Sequence, residues 1–184
     1  MVKIAVIGVE STGKSLLSKQ LAAYFDAPLL TEYAREYLLL NGNEYDYADF
    51  LEIAQGQALQ EKKASIEFSN KKMLILDTDF IVIKLWSEIA FNHTEKWIDE
   101  YLLSNLADLY LICTPNIPWV QDGLREYPIL QDRIDINQLY INTLHQYNCN
   151  FNLINDSDFS LRFQQAKNAI KEFFKLNSQA LNSK

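Results

Sequence analysis

Apolar positions along the chain follow two alternating rhythms. Val2-Lys3-Ile4-Ala5-Val6-Ile7 is a β-branched run that reads as a buried strand, and Leu17, Leu21 and Tyr24 then recur at helical spacing to about Phe25, with Pro28 beyond. Pro28 to Thr31 predicts a second short strand, and Ala34 to Leu40 a helix that stops at the C-cap pair Asn41-Gly42. A long helix is expected over Tyr47 to Phe68. Met73-Leu74-Ile75-Leu76 makes a third strand that enters Asp77-Thr78-Asp79. Helical segments run on to about Ser104, with a break near Asn92, before the fourth strand, Leu109 to Cys113. Residues 115–130 hold Pro115, Pro118 and Pro128 among charged and aromatic residues, which predicts a mobile loop-helix segment. A helix near 131–147, a fifth strand at Phe151 to Ile154 and a closing helix follow, the last with Phe163, Ala166, Ile170, Phe173 and Phe174 on one face.

Strands separated by helices predict an α/β fold: a five-stranded, mostly parallel sheet with helices on both faces. Ligands of such sheets bind at the carboxyl ends of the strands. The 184 residues are 48% hydrophobic and show no repeat or low-complexity stretch, so a single domain over 1–184 is expected, with a lid at about 115–133. Lys and Arg number 17 against 24 Asp and Glu, a net charge of −7 with no run of five like charges. Such a surface repels phosphate backbones, so no nucleic-acid partner is expected. Cys113 and Cys149 lie far apart, and His93 and His145 add no metal-type spacing, so reduced thiols of a cytoplasmic protein are expected. No targeting segment or apolar run of membrane-spanning length is visible, so no membrane partner is expected.

The chemistry enters directly after the first strand. Gly8-Val9-Glu10-Ser11-Thr12-Gly13-Lys14-Ser15 matches G-x-x-x-x-G-K-[ST] at every fixed position, between a predicted strand and a predicted helix. Glycines let successive N–H groups turn inward onto phosphates, and the helix dipole favours the same anion. Lys14 is expected to reach the β- and γ-phosphates of ATP, and Ser15 to ligate Mg²⁺. The expected nucleotide contacts are Gly8, Glu10, Ser11, Thr12, Gly13, Lys14, Ser15 and Leu16. For Glu10 two readings stand: it assists magnesium or the attacking hydroxyl, or it points to solvent. A GTPase would also carry N-K-x-D, and the nearest string, Asn70-Lys71-Lys72-Met73, lacks the acid. The chain is too short for a motor with an added helical lid domain. Kinases of small metabolites fit what remains.

Three further blocks, Thr31-Glu32-Tyr33-Ala34-Arg35-Glu36, Leu76-Asp77-Thr78-Asp79-Phe80 and Trp119-Val120-Gln121-Asp122-Gly123-Leu124-Arg125, together with the phosphate loop, resemble the ribosylnicotinamide kinase domain of the NadR family. The four blocks keep the family's order across residues 4–125. The resemblance implies transfer of the ATP γ-phosphoryl group to the ribose 5′-hydroxyl of nicotinamide riboside, giving nicotinamide mononucleotide. Better-known members carry an adenylyltransferase domain before the kinase. Here the first strand starts at Val2, so only the kinase step is expected. Another nucleoside or nucleotide kinase, or a nucleotide-binding switch, is the competing reading.

Phosphoryl transfer asks for positioning and charge neutralisation. Asp77, ending an apolar strand, is expected to hold the magnesium water shell or to accept the substrate hydroxyl proton, its alternative being an N-cap. Glu32 competes for the role of general base, and the sequence does not separate the two. Arg35, three residues on, is expected to pair with Glu32 or to make a plain surface ion pair. Asp79 is a candidate for the ribose hydroxyls or for a helix cap. Arg125 is the expected lid arginine, clamping phosphate oxygens, with Arg133 as a second candidate. Tyr33, Tyr37, Trp86 and Trp119 offer aromatic faces for a cationic nicotinamide ring. By fold analogy the adenine pocket falls near Asn155 to Asp158.

Overall fold

In the computed structural model, which describes residues 1–123 and 125–182, each apolar run forms the expected strand. Leu124, within the fourth block, lies outside the described residues. The elements are β1 (Val2–Ile7), α1 (Lys14–Phe25), β2 (Leu29–Leu30), α2 (Tyr33–Asn41), α3 (Tyr47–Glu67), β3 (Met73–Asp77), α4 (Phe80–Phe91), α5 (Lys96–Asn105), β4 (Leu109–Cys113), α6 (Leu130–Gln146), β5 (Phe151–Ile154) and α7 (Phe159–Asn182). The strand order is β2-β3-β1-β4-β5 and every pairing is parallel, where the sequence predicted a mostly parallel sheet.

Alternation along β1 divides the core in two. Ile4 and Val6 pack with Leu17, Leu21, Ala166 and Ile170 of α1 and α7. Ala5 and Ile7 face the other way, into a cluster with Phe50, Ile53, Phe80, Ile136 and Leu144 from α3, α4 and α6. Central strands buried on both faces need continuous apolar runs, which is why β1, β3 and β4 were so readable. Polar residues set the helix ends. Asp46 forms a capping box with Asp49 at the start of α3, and Asn92 ends α4 in the left-handed region at φ 49°.

The segment between β4 and α6 departs from expectation. Its described residues hold no helix before Leu130. Three prolines within it remove backbone donors and disfavour helical geometry in the residues before them. Because all strands run the same way, their carboxyl ends share one edge. Gly8, Thr31-Glu32, Asp77 and Thr114 all emerge there.

Candidate active site

The phosphate loop is folded by close backbone approaches that only glycine permits. Gly8 has φ 150° and Gly13 φ 75°, and a Cβ on Gly8 would meet the Cys113 carbonyl oxygen at 2.5 Å. A Cβ on Gly13 would strike the Phe159 ring at 2.8 Å. Inside the loop the buried Thr12 hydroxyl donates to the Val9 carbonyl at 2.7 Å. Arg162, 2% exposed, braces the loop from beneath. Its guanidinium donates to the Thr12 carbonyl at 2.9 Å, the Asp156 carbonyl at 2.8 Å, Asn116 Oδ1 at 2.7 Å and the Thr114 carbonyl at 3.3 Å. Nothing in the residue pattern singles it out, because an arginine on an amphipathic helix normally faces water.

Above the loop, a cavity of about 380 Å³ opens between the phosphate loop and helices α2, α4 and α6. Its floor runs from Gly8 to Leu16, Glu32, Arg35 and Arg125 add charge, and Tyr45, Trp86, Tyr127 and Tyr140 give it aromatic walls. That size suits a small ligand. Of these four aromatics only Trp86 was foreseen. Tyr140 lies on the face of α6 that would read as ordinary core, and Tyr45 and Tyr127 sit in loops.

Burial pushes the Glu32 carboxyl above the ordinary range, Lys14 opposes the shift, and nearby Asp77 adds to it. Asp77 is buried at the end of β3 and accepts a long hydrogen bond from Ser18 Oγ at 3.5 Å. It is not the helix cap. That role falls to Asp79, which accepts from the Ile81 N–H at 2.8 Å and from the Tyr110 hydroxyl at 2.8 Å. Burial raises the Asp79 carboxyl to about 6. Between the two, Thr78 holds φ 95°, a strained value for a β-branched residue, and the carboxylates on either side meet partners on opposite faces of the sheet. Of the two readings for Asp79, the structure shows the helix cap, and the residue does not line the cavity.

Several other expectations are corrected by packing. Tyr33 is not a cavity wall: its ring lies where a Cβ on Gly56 would meet it at 2.1 Å, which wedges it between α2 and α3. The Tyr37 hydroxyl donates to Asp49 at 2.8 Å and Glu52 at 3.0 Å and also stays out of the cavity. For Arg35 the second of the two readings holds, a surface ion pair: it meets Asp122 at 2.8 Å rather than Glu32, because the lid comes down onto α2. Glu10 neither points to solvent nor stands free for a metal. It accepts from Trp119 Nε1 at 3.0 Å and from the N–H groups of Glu126 at 2.8 Å and Tyr127 at 2.7 Å. Trp119 is thereby held outside the cavity wall. Arg125 does line the cavity, with Nη1 3.4 Å from Ser11 Oγ and Nη2 3.7 Å from Asp122. Arg133 is 3% exposed, outside the cavity lining, and its Nε and Nη1 have no partner among the described residues. The loop expected to hold adenine, Asn155 to Asp158, is fastened to α7. Asn155 and Asp156 donate to Gln165, and the Asp158 carboxylate accepts from the N–H groups of Ser160 and Leu161.

Among the described residues no three His, Cys, Asp or Glu gather as a metal cage, and both cysteines are free. The Ser15 hydroxyl in the cavity floor and the Asp77 carboxylate fit a hard, oxygen-seeking cation that takes its remaining ligands from phosphate and water. No helix among the described residues is long and apolar enough to cross a membrane.

Comparison with known proteins agrees with this geometry. A family described as an AAA domain matches residues 3–162. The trifunctional NAD biosynthesis/regulator protein NadR of Escherichia coli (strain K12) is 30% identical over 173 residues, 92% of this chain, and the chain spans 42% of that relative's length. A crystal structure of a NadR protein in complex with NR superposes with a TM-score of 0.77 at 24% identity, covering 94% of this chain and 50% of that one. A deoxyadenosine kinase from M. mycoides shares the fold with a TM-score of 0.63 at 14% identity, covering 93% of this chain and 100% of that one.

Proposed function

This chain belongs to the AAA domain family of P-loop proteins, and from that premise we propose that it is an ATP-dependent kinase of the ribose 5′-hydroxyl of nicotinamide riboside, yielding nicotinamide mononucleotide. The observation that carries the reading is one cavity with the phosphate loop and Lys14 at its floor, a carboxyl group, Glu32, in its wall, and aromatic rings beyond. A relative named for NAD biosynthesis and a NadR protein solved with NR support the choice of acceptor.

The residues divide the work by position. Backbone N–H groups of residues 8–15 and the Lys14 ammonium bind the β- and γ-phosphates. Glu32 orients the acceptor hydroxyl and takes its proton, because it lines the cavity beside Lys14 and burial raises its carboxyl above the ordinary carboxylate range. Asp77 serves the metal side with Ser15, and the magnesium carried in with the triphosphate would neutralise charge on the phosphate oxygens. Arg125 adds a fixed positive charge where the transferred group passes. Tyr45, Trp86, Tyr127 and Tyr140 offer faces to a cationic ring. The kinase unit is a single domain over the described chain, with residues 115–133 as its lid.

An acceptor panel tests the proposal. With ATP and Mg²⁺, nicotinamide riboside should stimulate ADP release more than any deoxynucleoside or nucleoside monophosphate. Stimulation by a deoxynucleoside instead would place the chain with kinases of the deoxyadenosine kinase type. Nucleotide binding that no acceptor stimulates would favour a switch.

A further inference from the structure

The segment between β4 and α6 has no regular structure among its described residues, yet it is pinned at two places by a single side chain. Glu10 Oε1 accepts from the Trp119 indole N–H at 3.0 Å and from the Tyr127 N–H at 2.7 Å, while Oε2 accepts from the Glu126 N–H at 2.8 Å. These bonds to an ionised acceptor are short and of the stronger class. They gather positions 119 and 126–127, seven or eight residues apart in sequence, onto the phosphate loop, and Arg125 lies inside the loop so closed. Its Nη1 reaches Ser11 Oγ at 3.4 Å and also donates to the Val120 carbonyl, whose own N–H donates to Ser11 at 2.9 Å. Fixing both ends of such a loop removes most of the conformational freedom that would otherwise let the guanidinium wander. Other ties hold the lid elsewhere: Arg35 to Asp122 between partly exposed side chains, the Asn43 amide to the Gly123 carbonyl at 2.5 Å and the Tyr45 hydroxyl to Glu126 at 3.4 Å all run to α2 and the loop after it, while Ser11 Oγ lies a long 3.5 Å from the Pro118 carbonyl.

We propose that Glu10 is a positioning residue that acts through Arg125: by pinning the lid at Trp119 and at Glu126-Tyr127, it sets the guanidinium over the phosphate loop. The inference rests on the reading of Arg125 as the phosphate clamp. It also explains why an acidic residue is tolerated in a loop built for anions. Its charge is spent on lid N–H groups, and with the lid in this place neither oxygen is free to act as a base.

A double-mutant cycle tests it. Wild type, Glu10→Ala, Arg125→Ala and the double variant are compared by ADP release at saturating ATP and Mg²⁺, with the best acceptor of the panel and without any. Arg125→Ala is expected to lower the rate roughly a hundredfold and Glu10→Ala at least about tenfold, with the acceptor KM moving less than about threefold. The double variant should be no slower than Arg125→Ala alone, since both changes remove one effect. Multiplying losses would overturn the proposal. Trp119→Phe removes one donor while leaving Glu10 and the packing in place, and should lower the rate about two- to fivefold in wild type and not at all in Arg125→Ala. Acrylamide quenching of the emission that Trp119→Phe removes should rise in Glu10→Ala, and unchanged quenching would show that no anchor exists. If no acceptor stimulates ADP release while the basal rate shows the non-additive pattern, the kinase reading falls and the positioning role stands. Multiplying losses in an enzyme that still phosphorylates nicotinamide riboside mean the reverse.

Discussion

Glu32 and Asp77 carry like charge beside one lysine, and their surroundings separate them. Glu32 opens onto the cavity, whereas Asp77 sits beneath the phosphate loop against Ser18. Glu32→Gln keeps the shape and removes the proton acceptor. It should lower kcat by roughly 10²- to 10⁴-fold with ATP affinity little changed, as read by single-turnover transfer and by calorimetry. Asp77→Asn with the larger loss and Glu32→Gln near wild type would reverse the assignment. Lys14, Ser15 and the loop glycines were legible because their spacing is itself the mechanism. Tyr33 and Trp119 were not, because a sequence shows which side chains stand near the sheet edge and not which way each one turns. Thr78, at φ 95°, decides the turn for Asp77 and Asp79, and nothing in its neighbours announces that value.

At the scale of elements, strands were readable wherever both faces are buried, and the lid was readable in place but not in conformation, because its order comes from tertiary bonds such as those to Glu10 rather than from local periodicity. Arg162 on α7 is the opposite case of an element serving a site far along the chain. Arg162→Ala should uncover four acceptors beneath the phosphate loop and cost about 3 kcal/mol or more, read as a lower Tm and weaker ATP binding. A second buried cluster joins α3 to the start of α4. Burial raises the Glu61 carboxyl to about 7, with Asp79 adding to the shift. Glu61 therefore binds a proton on folding. Its contribution to stability is full below the ordinary value of 4.5 and is lost as pH rises through about 7. Glu61→Gln should remove this dependence. Relative to wild type, the variant should gain on the order of 2–3 kcal/mol between pH 4.5 and pH 8, measured by denaturant unfolding. A difference that stays flat across that window would mean that Glu61 is not held protonated by the fold.

The whole molecule turns one topological fact into a site. Five parallel strands bring the phosphate loop, Glu32, Asp77 and the lid to one edge, although they are spread over more than a hundred residues of sequence. The overall negative charge leaves the cavity floor as a local positive exception, built from Lys14, Arg125 and oriented backbone. ATP at about a hundred times its Kd should stabilise the fold by roughly 2.7 kcal/mol, and Lys14→Ala should lose most of that gain without unfolding. The most direct measurement follows the phosphorus itself. Purified chain is mixed with ATP, Mg²⁺ and nicotinamide riboside, and the products are resolved by phosphorus NMR. One nicotinamide mononucleotide should form for every ADP, and none with Lys14→Ala. ADP accompanied only by inorganic phosphate, at a rate indifferent to the nucleoside, would contradict the account.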